Sequence, residues 1–340
     1  MDTITQARSD LSKVLLVACD QSYWGGPQTN TPDTHNGPIT PGTPLDKYLD
    51  SSGSGADVFP NTMPNEWNSL GMGQWIVQER FDDPITGFGA TLYRKSNTDG
   101  SRDFIVAMQG TRGPNFQDWG GNLVYGWDKW ISRNTGGGQD LLNTLSGLTN
   151  VSKIHFTGQS LGGALAQYAL YHYAARLTQQ HQADPASPDF DPSKVTLTTF
   201  NGLGGIDGLT QNEIGFNPLL IANVNTAHYY VPNDLVSRLG GGHLNGGGNE
   251  YVLNFWQTDA QGLVQRHQDL TPITLDSVAA HQIETGFYGG FNRAQATLHN
   301  GDRSNEFPID FSEAMAQTIQ NLAIGELART GTYEIGRAHV

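Results

Sequence analysis

Apolar positions recur first at helical spacing and then in short strand-like runs. Residues 8–24 carry Leu11, Val14, Leu15 and Ala18 on one stripe, which predicts a helix. From Gly25 to about Asn65 the chain is rich in Pro, Gly, Ser, Thr and Asn and keeps no period. Residues 25–65 therefore read as a long loop insertion or an arm. Thr86–Arg94 (TGFGATLYR) predicts a strand. Asp103–Met108 (DFIVAM) is continuously apolar, as a buried sheet strand should be. Lys153–Thr157 (KIHFT) feeds directly into a helix from Leu161 to about Gln179. Val195–Phe200, Ala227–Val231 and Tyr251–Trp256 add strands, and Ser312–Arg329 adds a last helix. This alternation predicts an α/β fold with a mostly parallel central sheet flanked by helices. No internal repeat is visible. Gly240–Gly248 (GGGHLNGGG) resembles a lone Gly-rich calcium repeat without its aspartate, and reads as a loop.

Composition narrows the class. The 340 residues are read as a single domain, 1–340, because α/β folds often use this length for one. Residues 331–340 carry no structural signal and read as a disordered tail. Only 15% of the residues are charged, against about 25% in an ordinary globular protein. The surface is therefore largely Asn, Gln, Ser, Thr and Gly. Nineteen Lys and Arg against 33 Asp and Glu give a net charge of −14. Such a chain should not grip nucleic acid through a phosphate-neutralising face, nor hold a membrane by a polybasic anchor. No transmembrane segment and no ordinary signal peptide are visible, since the first apolar run, Val14–Cys19, is short. A polar, acidic, nearly cysteine-free chain fits export without such a peptide, with the cytoplasm as the alternative. The single cysteine, Cys19, excludes an internal disulfide and a four-cysteine zinc site. It reads as a small buried hydrophobe.

The sharpest chemical signal is Gly158-Gln159-Ser160-Leu161-Gly162-Gly163. A β-rich run precedes it and a helix follows. In that setting a serine occupies a tight strand-to-helix turn that lifts its hydroxyl above the sheet edge. Side chains at 158 and 162 would collide, which is why both are glycine. Gly163, Ala164 and Ala166 let the helix start close against the sheet. The helix N-terminus also places a positive dipole end beside the serine. A neutral serine needs a base, and in such sheets the partners follow in the order serine, acid, histidine. Asp234 turns out of the Ala227–Val231 strand and is the candidate acid. Its rival, Asp207, sits in Gly-rich GGIDG and reads as a turn residue. His243, His267, His281 and His299 follow the acid. Spacing alone gives His267 and His281 equal standing. Val278, Ala279, Ala280 and Ile283 surround His281 with apolar neighbours, whereas His267 lies among Gln265, Arg266, Gln268 and Asp269. A packed segment holds an imidazole in position better than a solvated one. His155 and His172 flank the serine segment and read as core or surface residues.

These segments together resemble the class-three (fungal-type) lipases of the α/β-hydrolase fold. A strand ending in a Gly–Ser/Thr pair is matched by Phe104–Thr111, followed by Asp118-Trp119 and Asn122-Leu123. The family elbow T-G-H-S-L-G-G-A-L-A is matched by Thr157–Ala166, with Gln159 in place of the histidine. Thr199-Phe200-Asn201-Gly202 resembles its Thr-Phe-Gly strand end. Asn233–Leu239 resembles its acid segment, and His243 through Glu250-Tyr251 its His-x-Gly-x-Glu-Tyr element. His281 precedes Tyr288 as the family's catalytic histidine precedes a tyrosine. The likeness runs from about Thr86 to Tyr288. Two departures stand out. Gln109 replaces the usual arginine before Gly110-Thr111, and no V-H-x-G-F element precedes the elbow.

The resemblance implies acyl transfer by Ser160, His281 and Asp234, with the oxyanion held by the N–H groups of Leu161 and Thr111. It makes residues 115–131, with Phe116, Trp119, Trp127 and Trp130, a lid candidate over the serine. The expected substrate is an acylglycerol or related lipid ester at an oil–water or membrane interface. The alternatives are a phospholipase A1, a feruloyl or polyester esterase, a serine peptidase on the same fold, or a non-enzymatic lipase-like module. No metal or organic cofactor is expected. A structural calcium among the loop aspartates stays open, without a defined ligand spacing. Oligomeric state is not readable from the sequence.

Overall fold

The computed structural model describes residues 6–22, 40–48, 68–83, 88–110, 138–230, 236–238, 242–245, 250–253, 256–258, 264–266 and 296–299. The elements used below are α1 (Gln6–Ser22), β1 (Ile76–Asp83), β2 (Phe88–Ser96), β3 (Arg102–Met108) and α2 (Gly138–Ser146). They continue as β4 (Val151–Gln159), α3 (Leu161–Ala183), β5 (Val195–Phe200), α4 (Ile206–Asn212), β6 (Asn225–Tyr230) and β7 (Glu250–Leu253). β8 (Trp256–Thr258) and β9 (Val264–Arg266) form a separate antiparallel ribbon, and β10 (Ala296–His299) completes the set.

Among the described residues the main sheet has eight strands in the order β1-β2-β3-β4-β5-β6-β7-β10. The five strands β3 to β7 run parallel; β1, β2 and β10 join antiparallel at the two edges. Parallel neighbours need a crossover on one face of the sheet. Here α2 connects β3 to β4, α3 connects β4 to β5, and α4 lies between β5 and β6.

Strand alternation divides the core in two. Phe104, Val106, Met108, Ile154 and Phe156 pack with Leu141, Leu145, Leu165, Ala169 and Leu170 of α2 and α3. Ile105, Ala107, His155 and Thr157 point to the other face. There α1 lies across β3 and β4 with Leu15, Leu16, Val17 and Ala18 fully buried. A contact of 3.1 Å between Cys19 Sγ and Thr157 Oγ1 fixes α1 on this face. Burial pushes the Cys19 thiol up to about 12, so it stays neutral, as the small buried hydrophobe expected from the sequence. The result is a three-layer helix–sheet–helix arrangement, the α/β fold with a mostly parallel sheet that the alternation of elements predicted, and it is consistent with the α/β-hydrolase fold that the family resemblance implied.

One residue links several parts of the antiparallel flank. The Arg80 guanidinium grips Asp82 through Nε and Nη2 at 2.6 and 2.8 Å. Nη1 donates to the Ser22 carbonyl at 2.9 Å and to Thr91 Oγ1 at 3.0 Å, and Nη2 donates to Gln109 Oε1 at 3.0 Å. One side chain thus joins β1, β2, the end of β3 and the last residue of α1. Part of the stretch read as an unpatterned insertion is also tied down. Gly42 N–H donates to Val77 O, Val77 N–H to Thr43 O and Leu45 N–H to Trp75 O, each at 2.8 Å. Residues 42–45 therefore line the outer edge of β1, which would otherwise offer unpaired backbone groups.

Most sequence-based elements appear within two or three residues of their expected bounds. The expected strand Tyr251–Trp256 is divided between β7 and β8. β1, α2, α4, β9 and β10 were not anticipated. The expected helix Ser312–Arg329, the tail 331–340 and most of 25–65 lie outside the described residues.

Candidate active site

β4 ends at Gln159 and α3 begins at Leu161, so Ser160 alone joins sheet to helix. Its backbone stands at φ 58° and ψ −131°. Such a conformation costs a residue with a Cβ about 1–3 kcal/mol and persists only where its surroundings enforce it. The enforcement is steric. A Cβ on Gly158 would run into the Gly162 carbonyl, and one on Gly162 into the Met108 carbonyl. A Cβ on Gly163 would stand 2.5 Å from Gly202 Cα, so α3 starts in contact with the chain leaving β5. The glycines read from the sequence as steric necessities have that role.

Backbone bonds complete the turn. Ser160 N–H donates to Phe200 O at 3.3 Å, and Ser160 O accepts from Gly163 and Leu203, each at 2.9 Å. The serine side chain makes no cap bond to the helix it precedes. Its hydroxyl sits at the positive end of a 23-residue helix, at the carboxyl ends of the parallel strands. That edge is where open α/β sheets bind ligands. Leu161, whose N–H is the first oxyanion donor expected from the sequence, is the first residue of α3.

The remaining site residues expected from the sequence, Asp234, His281 and Thr111, lie outside the described residues, as do His267 and the 115–131 lid candidate. The weaker candidates are placed. Asp207 is exposed in the first turn of α4 rather than in a free turn. His243 is buried with both ring nitrogens engaged: Nε2 donates to Gly202 O at 2.8 Å and Nδ1 faces Glu250 Oε1 at 3.1 Å. That leaves it no nitrogen for a substrate proton. His155 is a core residue bound to Thr196 Oγ1 at 2.8 Å, and burial lowers its imidazole to about 4. His172 pairs with Glu213 at 3.2 Å.

Two features escaped the sequence reading. One is His228 on β6, stacked on His243 with ring centres 4.5 Å apart. Its Nε2 donates to Leu244 O at 2.9 Å and its Nδ1 accepts from Thr199 Oγ1 at 2.8 Å. Burial, then the neighbouring His243, holds its imidazole well below the usual range, so it is neutral. The other is Arg80, which brings a guanidinium to Gln109, the position where the resembling family carries arginine. No local pattern marks either. Among the described residues no group of three or more His, Cys, Asp or Glu could hold a metal ion. Among them also, no helix is long and apolar enough to cross a membrane.

Solved structures similar to this chain include a triacylglycerol lipase from Penicillium expansum. The two share 12% identity at a TM-score of 0.38, over 84% of this chain and 93% of that one. Lipase II from Rhizopus niveus is similar at 12% identity and a TM-score of 0.43, over 85% of this chain and 98% of that one. M37 lipase is similar at 16% identity and a TM-score of 0.37, over 70% of each chain. No protein-family model matches the chain, and no curated protein matches it in sequence.

Proposed function

We propose that the protein is a serine carboxylic-ester hydrolase acting on acylglycerols or related lipid esters. The observation that carries this reading is the backbone of Ser160, at φ 58° between a parallel strand and a long helix, with glycines where any Cβ would collide. A solvated turn serine has no need of a conformation that costs free energy. In this reading Ser160 attacks the ester carbonyl while His281 takes its proton, and Asp234 orients the imidazole and stabilises its charged form. The tetrahedral oxyanion is held by the N–H groups of Leu161 and Thr111, each such donor contributing about 3–4 kcal/mol. Collapse of the intermediate expels the alcohol, protonated by His281. Water then hydrolyses the acyl-enzyme by the same steps.

The test is hydrolysis of a short p-nitrophenyl ester by the wild type and by Ser160→Ala. The wild type should turn over and lose activity on treatment with a serine-directed organophosphate; the variant should be inert and folded. Turnover by Ser160→Ala at the wild-type rate removes the serine from the chemistry. A panel of triglyceride, phospholipid, feruloyl ester and peptide then fixes the substrate class.

A further inference from the structure

Seven residues beyond Ser160, an amide is buried completely in an otherwise apolar stretch of α3. Gln167 is 0% exposed. Its Nε2 donates to Gly163 O at 3.0 Å and to Leu203 O at 2.9 Å. Its Oε1 accepts from Gly205 N–H at 3.1 Å and from Leu244 N–H at 2.8 Å. A primary amide has two donor hydrogens and two acceptor lone pairs, and all four are used on backbone. Three stretches meet on this one side chain: the first turn of α3, the chain leaving β5, and residues of the β6-to-β7 connection. The second of these is joined to the serine turn independently, because Leu203 N–H donates to Ser160 O. His243 adds a tie from the β6-to-β7 connection to Gly202. Gly205 is shaped to this amide, since a Cβ there would stand 2.9 Å from Gln167 Cβ.

We propose that Gln167 is a positioning residue for the nucleophile. It holds the Ser160 turn in register with the β5 and β6 connections, the second of which carries Asp234 in sequence. This rests on the reading of Ser160 as nucleophile. Two of its four partners, Gly163 and Leu203, also donate their backbone N–H groups to the carbonyl of Ser160, the residue whose hydroxyl must meet an acid–base pair arriving from another part of the chain. Near-attack geometry tolerates little error, and a displacement of about 1 Å costs about 10²-fold in rate.

Gln167→Met keeps the volume and leaves four backbone groups without their partner. The expected result, on a soluble p-nitrophenyl ester, is kcat lower by about 10²-fold with KM within about twofold. Gln167→Glu is the second variant, should the first fold poorly. It keeps the acceptor arm, turns an oxygen toward two carbonyls, and should show the same split. Thr196→Val, which removes the partly buried bond to His155 on the other face of the sheet, is the control and should lower stability with kcat unchanged. Hydrogen exchange supplies a readout independent of turnover. In a folded Gln167 variant the Leu203 amide, bonded to Ser160 rather than to Gln167, should lose protection along with Gly205 and Leu244. Wild-type kcat in a folded variant overturns the proposal. Unchanged protection at Leu203 also overturns it, whatever Ser160→Ala shows about the ester reading.

Discussion

Around Ser160 the chain is held by atoms that are absent. Gly158, Gly162 and Gly163 let three stretches of backbone approach where no Cβ fits. At the β1–β2 edge the opposite holds, because one large side chain, Arg80, reaches Ser22, Asp82, Thr91 and Gln109. The first device operates within six consecutive residues and against the backbone they touch. The second spans 87 positions of sequence, from Ser22 to Gln109, and the turn between β4 and α3 packs against its far end through Gly162. Steric devices tolerate nothing larger than hydrogen. Polar hubs fail by degrees, because water and neighbouring donors replace some of what is lost.

Gly158→Ala attacks the steric device and should have the largest effect. The added methyl meets a backbone carbonyl that cannot move without undoing α3, so soluble yield and ester hydrolysis should both collapse. A folded, active Gly158→Ala protein, judged by circular dichroism and turnover, would break the comparison on this side. Arg80→Met attacks the hub. It leaves the Asp82 carboxylate, two other side-chain oxygens and a carbonyl without their donor, which should lower stability by about 4 kcal/mol in a urea titration. A loss under about 1 kcal/mol would mean that the edge is held by the 42–45 strap rather than by Arg80.

Acid acts in the same direction through buried histidines on both faces of the sheet. His155 titrates at about 4 in the folded protein against an ordinary 6.5. Between those values the unfolded chain binds a proton that the folded one refuses. The contribution is therefore intact above pH 6.5 and lost as pH falls to 4, by about 3 kcal/mol. His228, held well below its ordinary range, acts in the same direction. Urea midpoints at pH 7 and pH 4.5 should show the loss, and His155→Phe should flatten part of it. The smallest effect belongs to Cys19: with its thiol pushed up to about 12, alkylation of the native protein at pH 8 should be undetectable until unfolding.

What the sequence disclosed follows the same division. The elbow was legible because its glycines and serine fall in one six-residue run, even though only Gly158 answers a near neighbour, Gly162, while Gly162 and Gly163 answer Met108 and Gly202 elsewhere in the chain. The parallel strands were legible because burial on both faces leaves continuous apolar runs such as Phe104–Met108. β1 was not, because Ile76–Asp83 is largely polar and only intermittently buried, as suits an edge. Arg80 and His228 carry no local signature, since their partners lie 11 or more positions away apart from Asp82. Gln167 did leave a trace: a lone amide inside Leu165-Ala166-Gln167-Tyr168-Ala169-Leu170, on a helix with no polar face there.

The order of strands in the sheet has a consequence for how the protein is made. From β1 to β7 each strand takes its place beside the one before it, so a chain emerging from the ribosome can extend the sheet in the order of its synthesis. The exception is the final edge. β7 closes with Leu253, but its outer partner β10 ends at His299, 46 positions later. At 5–20 residues per second that interval lasts about 2–9 s. Through it, the row of backbone donors and acceptors from Glu250 to Leu253 has no β10 to meet. For each nascent copy this is a window in which a second copy can offer its own strand instead, and the ends of that window are fixed by where β7 stops and where β10 ends.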